Sequence, residues 1–122
     1  PPRVPLDRVV SVLEKIRAIC QQIPEYRQTV RSHLPVQRAR DFFDIYTITQ
    51  KYPIKLSNPR TVITLEAIFQ AKRVPLSYMQ RIPDFREFHR AGFDSLKDTV
   101  TSGVQIKEFD FYFDYVMGLI NS

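Results

Sequence analysis

Two arginines and two aspartates lie within the seven-residue run Arg-Ala-Arg-Asp-Phe-Phe-Asp at positions 38–44. On a helix that turns 100° per residue, the run separates into an apolar face and a polar face. The apolar face holds Ala39, Phe42, Phe43 and Tyr46, and the opposite face holds Gln37, Arg40, Asp41 and Asp44. Asp41 and Asp44 are three residues apart and would repel each other, so the pair needs a partner that offsets the repulsion.

Three kinds of partner fit the two carboxylates. Arg38, Arg40 or Lys15 could form structural ion pairs with them, a divalent metal could use one carboxylate, or a carboxylate could act as general base toward a hydroxyl. The residues alone favour a buried ion-pair network and a functional site equally.

A second polar face lies earlier in the chain, where Lys15, Ala18 and Gln22 follow the helical spacing i, i+3, i+7. A lysine beside a small residue leaves room for a bulky anion, and phosphate is a natural partner for its ammonium group. The alternative is an ordinary solvated flank, with Glu14 and Arg17 nearby.

Helical periodicity and three glycines in 122 residues predict an all-α fold, a single helical-bundle domain of about five helices over residues 1–122. Asn58 and Pro59 form a typical helix start, and Gly92 should weaken the fourth helix in its middle. The expected helices are Leu6–Gln22, Val36–Lys51, Pro59–Lys72, 84–100 and Lys107–Asn121, with a turn possible at Glu25–Ser32 and loops around Pro75, Pro83 and Gly103. The last helix should bury Phe109, Tyr112, Phe113, Val116, Leu119 and Ile120.

Composition restricts the class of protein. No apolar run approaches the roughly 20 residues of a membrane span. The single cysteine, Cys20, excludes an internal disulfide and indicates a reducing, cytoplasmic setting. With one cysteine and two distant histidines, a zinc site is not expected; His33 and His89 are interpreted as surface residues. The net charge is +5, and residues 1–60 hold 11 Lys/Arg against 5 Asp/Glu. This excess would suit nucleic acid or nucleotide phosphates, and the alternative, which charge alone favours, is a solubilising surface.

Together the segments 14–22 and 38–46 resemble the AbiEii-type nucleotidyltransferases, the toxins of type IV abortive-infection toxin–antitoxin systems. Lys15 and Ala18 match the third motif of that family, Lys-Leu-x-Ala-x-x-x-Arg, with Ile16 in place of its Leu and Gln22 in place of its Arg. The fourth motif, Arg-x-Lys-Asp-x-x-Asp, is matched by Arg38, Asp41 and Asp44, with Arg40 in place of its Lys. The family's first two motifs, a Gly-rich segment and an Asp-x-Asp metal pair, are absent from these 122 residues.

The resemblance implies a bacterial, C-terminal helical domain that completes an N-terminal nucleotidyltransferase half and can meet a cognate antitoxin. It implies Mg²⁺-dependent nucleotidyl transfer from an NTP to RNA, notably tRNA, or to protein, with no metal held by this chain alone. Lys15 would bind the triphosphate and Asp41 would support catalysis, whereas Arg38, Arg40, Asp44 and Gln22 would bind or orient the nucleotide. The alternative is a non-catalytic helical module that binds RNA or protein. The first residue, which is not Met, also suggests a piece of a longer enzyme.

Overall fold

The computed structural model describes residues 3–29, 34–99 and 105–122, and every regular element in these ranges is a helix. The predicted all-α class is therefore confirmed. His33 and Gly103 lie outside the described residues. The elements in chain order are α1 (Leu6–Cys20), α2 (Pro24–Thr29), α3 (Ala39–Lys51), α4 (Pro59–Ala71), a 3₁₀ helix (Leu76–Phe85), α5 (Arg86–Arg90), α6 (Phe93–Thr99) and α7 (Phe109–Ile120). Among the described helices, none is long and apolar enough to cross a membrane.

Helix α1 lies between α3 and α4, and α3 in turn packs against α7 and α6. The apolar stripe of α1 forms one side of the core, with Val12, Leu13, Ile16, Ile19 and Cys20 buried. Burial raises the pKa of the Cys20 thiol to about 12, so this cysteine is a neutral core side chain.

Aromatic rings join α3 to α7. Phe42 is fully buried, stacks on Phe113 with the ring centroids 5.1 Å apart, and meets Phe109 edge-on at 5.5 Å. Phe43 contacts Tyr112 edge-on at 5.2 Å. The stripe predicted for the last helix is buried as expected, apart from half-buried Ile120. This packing holds α3 with its polar flank turned toward α1.

The expected start of the second helix at Val36 is wrong, because α3 begins at Ala39. The N–H of Val36 donates to the Gln22 side chain at 2.8 Å, and the N–H of Arg38 donates to Nδ1 of His89 at 2.9 Å. These side-chain acceptors satisfy the backbone donors without a further helical turn.

The expected fourth helix at 84–100 is also wrong, since a 3₁₀ helix and two short helices occupy residues 76–99. Pro83 lies inside the 3₁₀ helix, and Gly92 lies in the turn between α5 and α6. A Cβ added at Gly92 would lie 3.0 Å from Cβ of Gln37, so a close approach to the segment before α3 explains the glycine better than a weakened helix does. The predicted start of α4 is confirmed: the Asn58 side chain caps it and Pro59 is its first residue.

Candidate active site

Lys15 lies on the flank of α1 that faces α3, beside the buried residues Leu13 and Ile16. Its ammonium nitrogen is 3.8 Å from Oδ1 of Asp41 and 3.6 Å from Oδ2 of Asp44. One lysine therefore faces both carboxylates of the neighbouring helix. The apolar stripes of α1 and α3 produce this meeting, because packing them together turns the adjoining polar flanks toward each other.

Two arginines from the start of α3 complete what we call the cation–carboxylate cluster: Lys15, Arg38, Arg40, Asp41 and Asp44. Nη1 of Arg38 is 3.7 Å from Oδ2 of Asp41, and Nε of Arg40 is 3.4 Å from Oδ1 of Asp44. These pairs follow the helical spacings i, i+3 and i, i+4, at which side chains are neighbours. The structure thus brings together five of the six residues that the sequence singled out.

The cluster is loosely paired. Its four separations run from 3.4 to 3.8 Å, longer than the 2.7–2.9 Å of a charge-assisted hydrogen bond. Oδ2 of Asp41 and Nε of Arg38 are buried and have no hydrogen-bond partner among the described residues. Buried polar atoms are normally satisfied, so these two need an explanation.

A second set of ion pairs shows what tight pairing looks like in this molecule. Arg86 donates to Asp110 at 2.9 Å, and Arg90 donates to both oxygens of the same carboxylate at 2.7 and 3.0 Å. Arg86 also donates to Asp114 at 2.9 Å. These bonds hold the pKa of Asp110 below its usual range and join α5 to α7. The cation–carboxylate cluster lacks this geometry.

Asp41 is the most buried member of the cluster, with 13% of its side chain exposed. Burial raises the pKa of its carboxyl above the usual 3.8, although Arg38 and Lys15 act in the opposite direction and the Asp44 charge adds to the rise. A carboxylate whose burial outweighs its ion pairs is poorly compensated in its charged form. It is better suited to accept a proton than a well-paired surface carboxylate is.

Gln22, the sixth predicted site residue, contacts backbone groups. Its side-chain oxygen accepts from the N–H of Val36 at 2.8 Å, and its side-chain nitrogen donates to the carbonyl of Ala18 at 3.0 Å. These bonds tie the segment before α3 to the end of α1. The side chain consequently helps to fix where α3 begins.

The interpretation of His89 as a surface residue is wrong, because only 1% of this residue is exposed. Its ring lies 5.4 Å from the Phe42 ring, and its Nδ1 accepts the N–H of Arg38. Burial and the nearby Arg38 charge lower the pKa of His89 to about 4, so the ring is neutral near pH 7 and keeps Nδ1 as an acceptor. With Gly92, His89 positions the start of α3, and no sequence signal connects it to Arg38, which lies 51 residues earlier.

The cluster is suited to an anion rather than to a metal. Three cations surround two carboxylates, an excess of one positive charge, and Lys15 already lies between the two carboxylates. Mg²⁺ prefers oxygen ligands and would be repelled by these cations. In the described part of the chain, no three His, Cys, Asp or Glu side chains are grouped so as to hold a metal ion. The residues therefore fit phosphate oxygens and do not fit a Mg²⁺ ion.

Comparisons with protein-family models, with curated proteins and with solved structures found no match.

Proposed function

We propose that this chain is the helical C-terminal part of an AbiEii-like nucleotidyltransferase and that the cation–carboxylate cluster is its share of the active site. The observation that carries the proposal is the pair of contacts from Lys15 to Asp41 and Asp44. The resemblance assigns these three residues to one site, although Asp41 lies 26 positions after Lys15 in the chain.

The proposed reaction moves a nucleoside monophosphate from an NTP to an acceptor hydroxyl of RNA, notably tRNA, or protein. The hydroxyl oxygen attacks the α-phosphorus, the bond from this phosphorus to the bridging oxygen breaks, and pyrophosphate leaves. Asp41 takes the hydroxyl proton, which is consistent with its raised pKa. Lys15 and the two arginines bind phosphate oxygens, while Asp44 orients Lys15.

In this proposal, Mg²⁺ supplies charge neutralisation on the triphosphate, and its ligands belong to an N-terminal half outside these 122 residues. This is consistent with the poor fit of a metal to the cluster. A cognate antitoxin would be the natural inhibitor of such an enzyme, and the cytoplasm its place of action.

The test is a transfer assay with the product of the complete reading frame, each of the four labelled NTPs, Mg²⁺, and tRNA or protein acceptors. We expect labelled product from the wild type and a loss of at least about 100-fold in Asp41→Asn, the usual contribution of a general base. Residues 1–122 alone should transfer no label.

Asp114→Asn is the matched control, because Asp114 is a carboxylate in an ion pair with Arg86, outside the cluster, and is 65% exposed. It should keep wild-type activity. An inactive wild type with every NTP and acceptor, or equal activity in wild type and Asp41→Asn, would contradict the proposal; the first result would favour a non-catalytic RNA- or protein-binding module.

A further inference from the structure

A cavity of about 300 Å³ lies where the start of α1 approaches the start of α4. Its walls come from residues 3–9, from the connection 53–58 and from the first turns of α4. None of the five residues of the cation–carboxylate cluster lines it. The volume is at the lower end of the range for small-molecule sites.

The polar wall of this cavity is cationic. Arg3, Lys55 and Arg60 line it, and no aspartate or glutamate does. Within the described residues, none of the three cations is in an ion pair with a carboxylate. Three uncompensated positive charges around one cavity attract an anion.

The first turn of α4 adds a backbone donor. The side-chain oxygen of Asn58 accepts from the N–H of Arg60 at 3.0 Å, and the Asn58 carbonyl accepts from the N–H of Val62 at 2.9 Å. The N–H of Thr61, between them, has no partner in the described part of the chain. It lies at the positive end of the helix dipole, where anions are stabilised.

The side chain of Thr61 is the observation that points to a ligand. It lines the cavity with only 6% of the residue exposed, and its hydroxyl has no hydrogen-bond partner among the described residues. Two other threonines differ: Thr64 on the same helix donates to the Arg60 carbonyl at 2.9 Å, and buried Thr49 on α3 donates to the Ile45 carbonyl at 2.8 Å. The hydroxyl oxygen is not among the buried atoms that lack a partner, so it is open to the cavity, where a ligand oxygen can take the place of water.

We propose that this cavity binds the phosphate group of a nucleotide or of an RNA strand. The phosphate oxygens accept from the N–H and hydroxyl of Thr61 and face Arg3, Lys55 and Arg60. The apolar part of the lining takes the organic part of the ligand; it is formed by Val4, Leu6, Val9, Pro53 and Ile54. This site is separate from the cation–carboxylate cluster and does not depend on the nucleotidyl transfer proposed above.

The test is an NMR titration of the ¹⁵N-labelled chain at fixed salt with inorganic phosphate, AMP, and a short RNA with or without a 5′-phosphate. We expect the Thr61 amide resonance to shift with AMP or with the 5′-phosphorylated RNA. Saturation by AMP identifies a free-nucleotide site, whereas tighter binding of the phosphorylated RNA than of AMP identifies an RNA site.

Arg60→Gln should weaken binding about tenfold, as expected for one charge-assisted hydrogen bond. Thr61→Val should weaken it several-fold with an unchanged circular dichroism spectrum, since only the hydroxyl is lost. Lys72→Gln is the control, because it removes the same charge just beyond the other end of α4, and it should bind like the wild type. No shift at Thr61 with any probe, or equal weakening by Arg60→Gln and Lys72→Gln, would overturn the proposal.

Discussion

Asp41, which is partly buried, and His89, which is fully buried, are ionisable residues near the start of α3 with different roles. His89 keeps a hydrogen bond to the Arg38 N–H and packs against Phe42, so its neutral form stabilises the fold. Asp41 keeps a buried oxygen without a hydrogen bond, and its burial favours the protonated form. The histidine is a structural support, whereas the charged form of the aspartate is poorly compensated, as the proposed proton transfer requires.

The burial of His89 and the nearby Arg38 charge, which lower its pKa, predict a specific pH dependence. The pKa of His89 in the folded protein is about 4, below the usual 6.5. The contribution of neutral His89 to the free energy of unfolding is therefore complete above pH 6.5 and is lost as the pH falls toward 4. The full loss is roughly 3 kcal/mol. Urea unfolding between pH 7 and 5 should show the start of this decline, before the surface carboxylates titrate. In His89→Asn, which keeps an acceptor but does not titrate there, the decline over that range should be absent; an equal decline in both proteins would contradict this role.

At the scale of elements, α3 is fixed by the aromatic contacts with α7. Phe113 is fully buried, stacks on Phe42, and carries the Arg86 guanidinium 4.2 Å above its ring centroid. Phe111, on the same helix, is 38% exposed and meets Tyr46 edge-on. The position of the cluster thus depends on core packing that lies on the other side of α3.

Removing these two rings should have unequal effects. Phe113→Ala should lower the free energy of unfolding by about 3–5 kcal/mol, because it leaves a cavity in the core. Phe111→Ala should cost about 1 kcal/mol or less, as for other partly exposed positions. Urea denaturation of both variants measures the difference. Equal losses would contradict the prediction that the buried ring of Phe113 stabilises the α3–α7 contact more than the exposed ring of Phe111 does.

The elements that the sequence predicted best are those whose signals are local. The stripe from Phe109 to Leu119 and the cap at Asn58 needed only helical spacing and neighbouring residues. The start of α3 was misplaced because Gln22 and His89, distant in the chain, bind the N–H groups of Val36 and Arg38. The sequence predicts the charged face of α3. It could not predict that the ion pairs on this face are long, because their lengths depend on how α1 packs against α3.

Across the whole molecule, six of the 11 Lys/Arg in residues 1–60 lie in two places. One is the cation–carboxylate cluster at Lys15, and the other is the cavity bounded by Arg3, Lys55 and Arg60. By contrast, Arg86 and Arg90 of the second half are paired with Asp110, Asp114 and Glu87. Ion pairs thus join helices in both halves, whereas the three cations at the cavity face no carboxylate within the described residues.

The most direct test of this account is the free energy of unfolding of Asp41→Asn at pH 7. Because the raised pKa means that ionised Asp41 is disfavoured in the fold, its stabilising influence belongs to low pH and is lost as the pH rises through the folded pKa. We therefore expect the neutral amide to leave stability unchanged or to increase it by about 0.5–1 kcal/mol, as substitutions at functional sites often do. A loss of about 3 kcal/mol or more, typical of breaking a buried ion pair, would show that the cluster is structural and contradict the account.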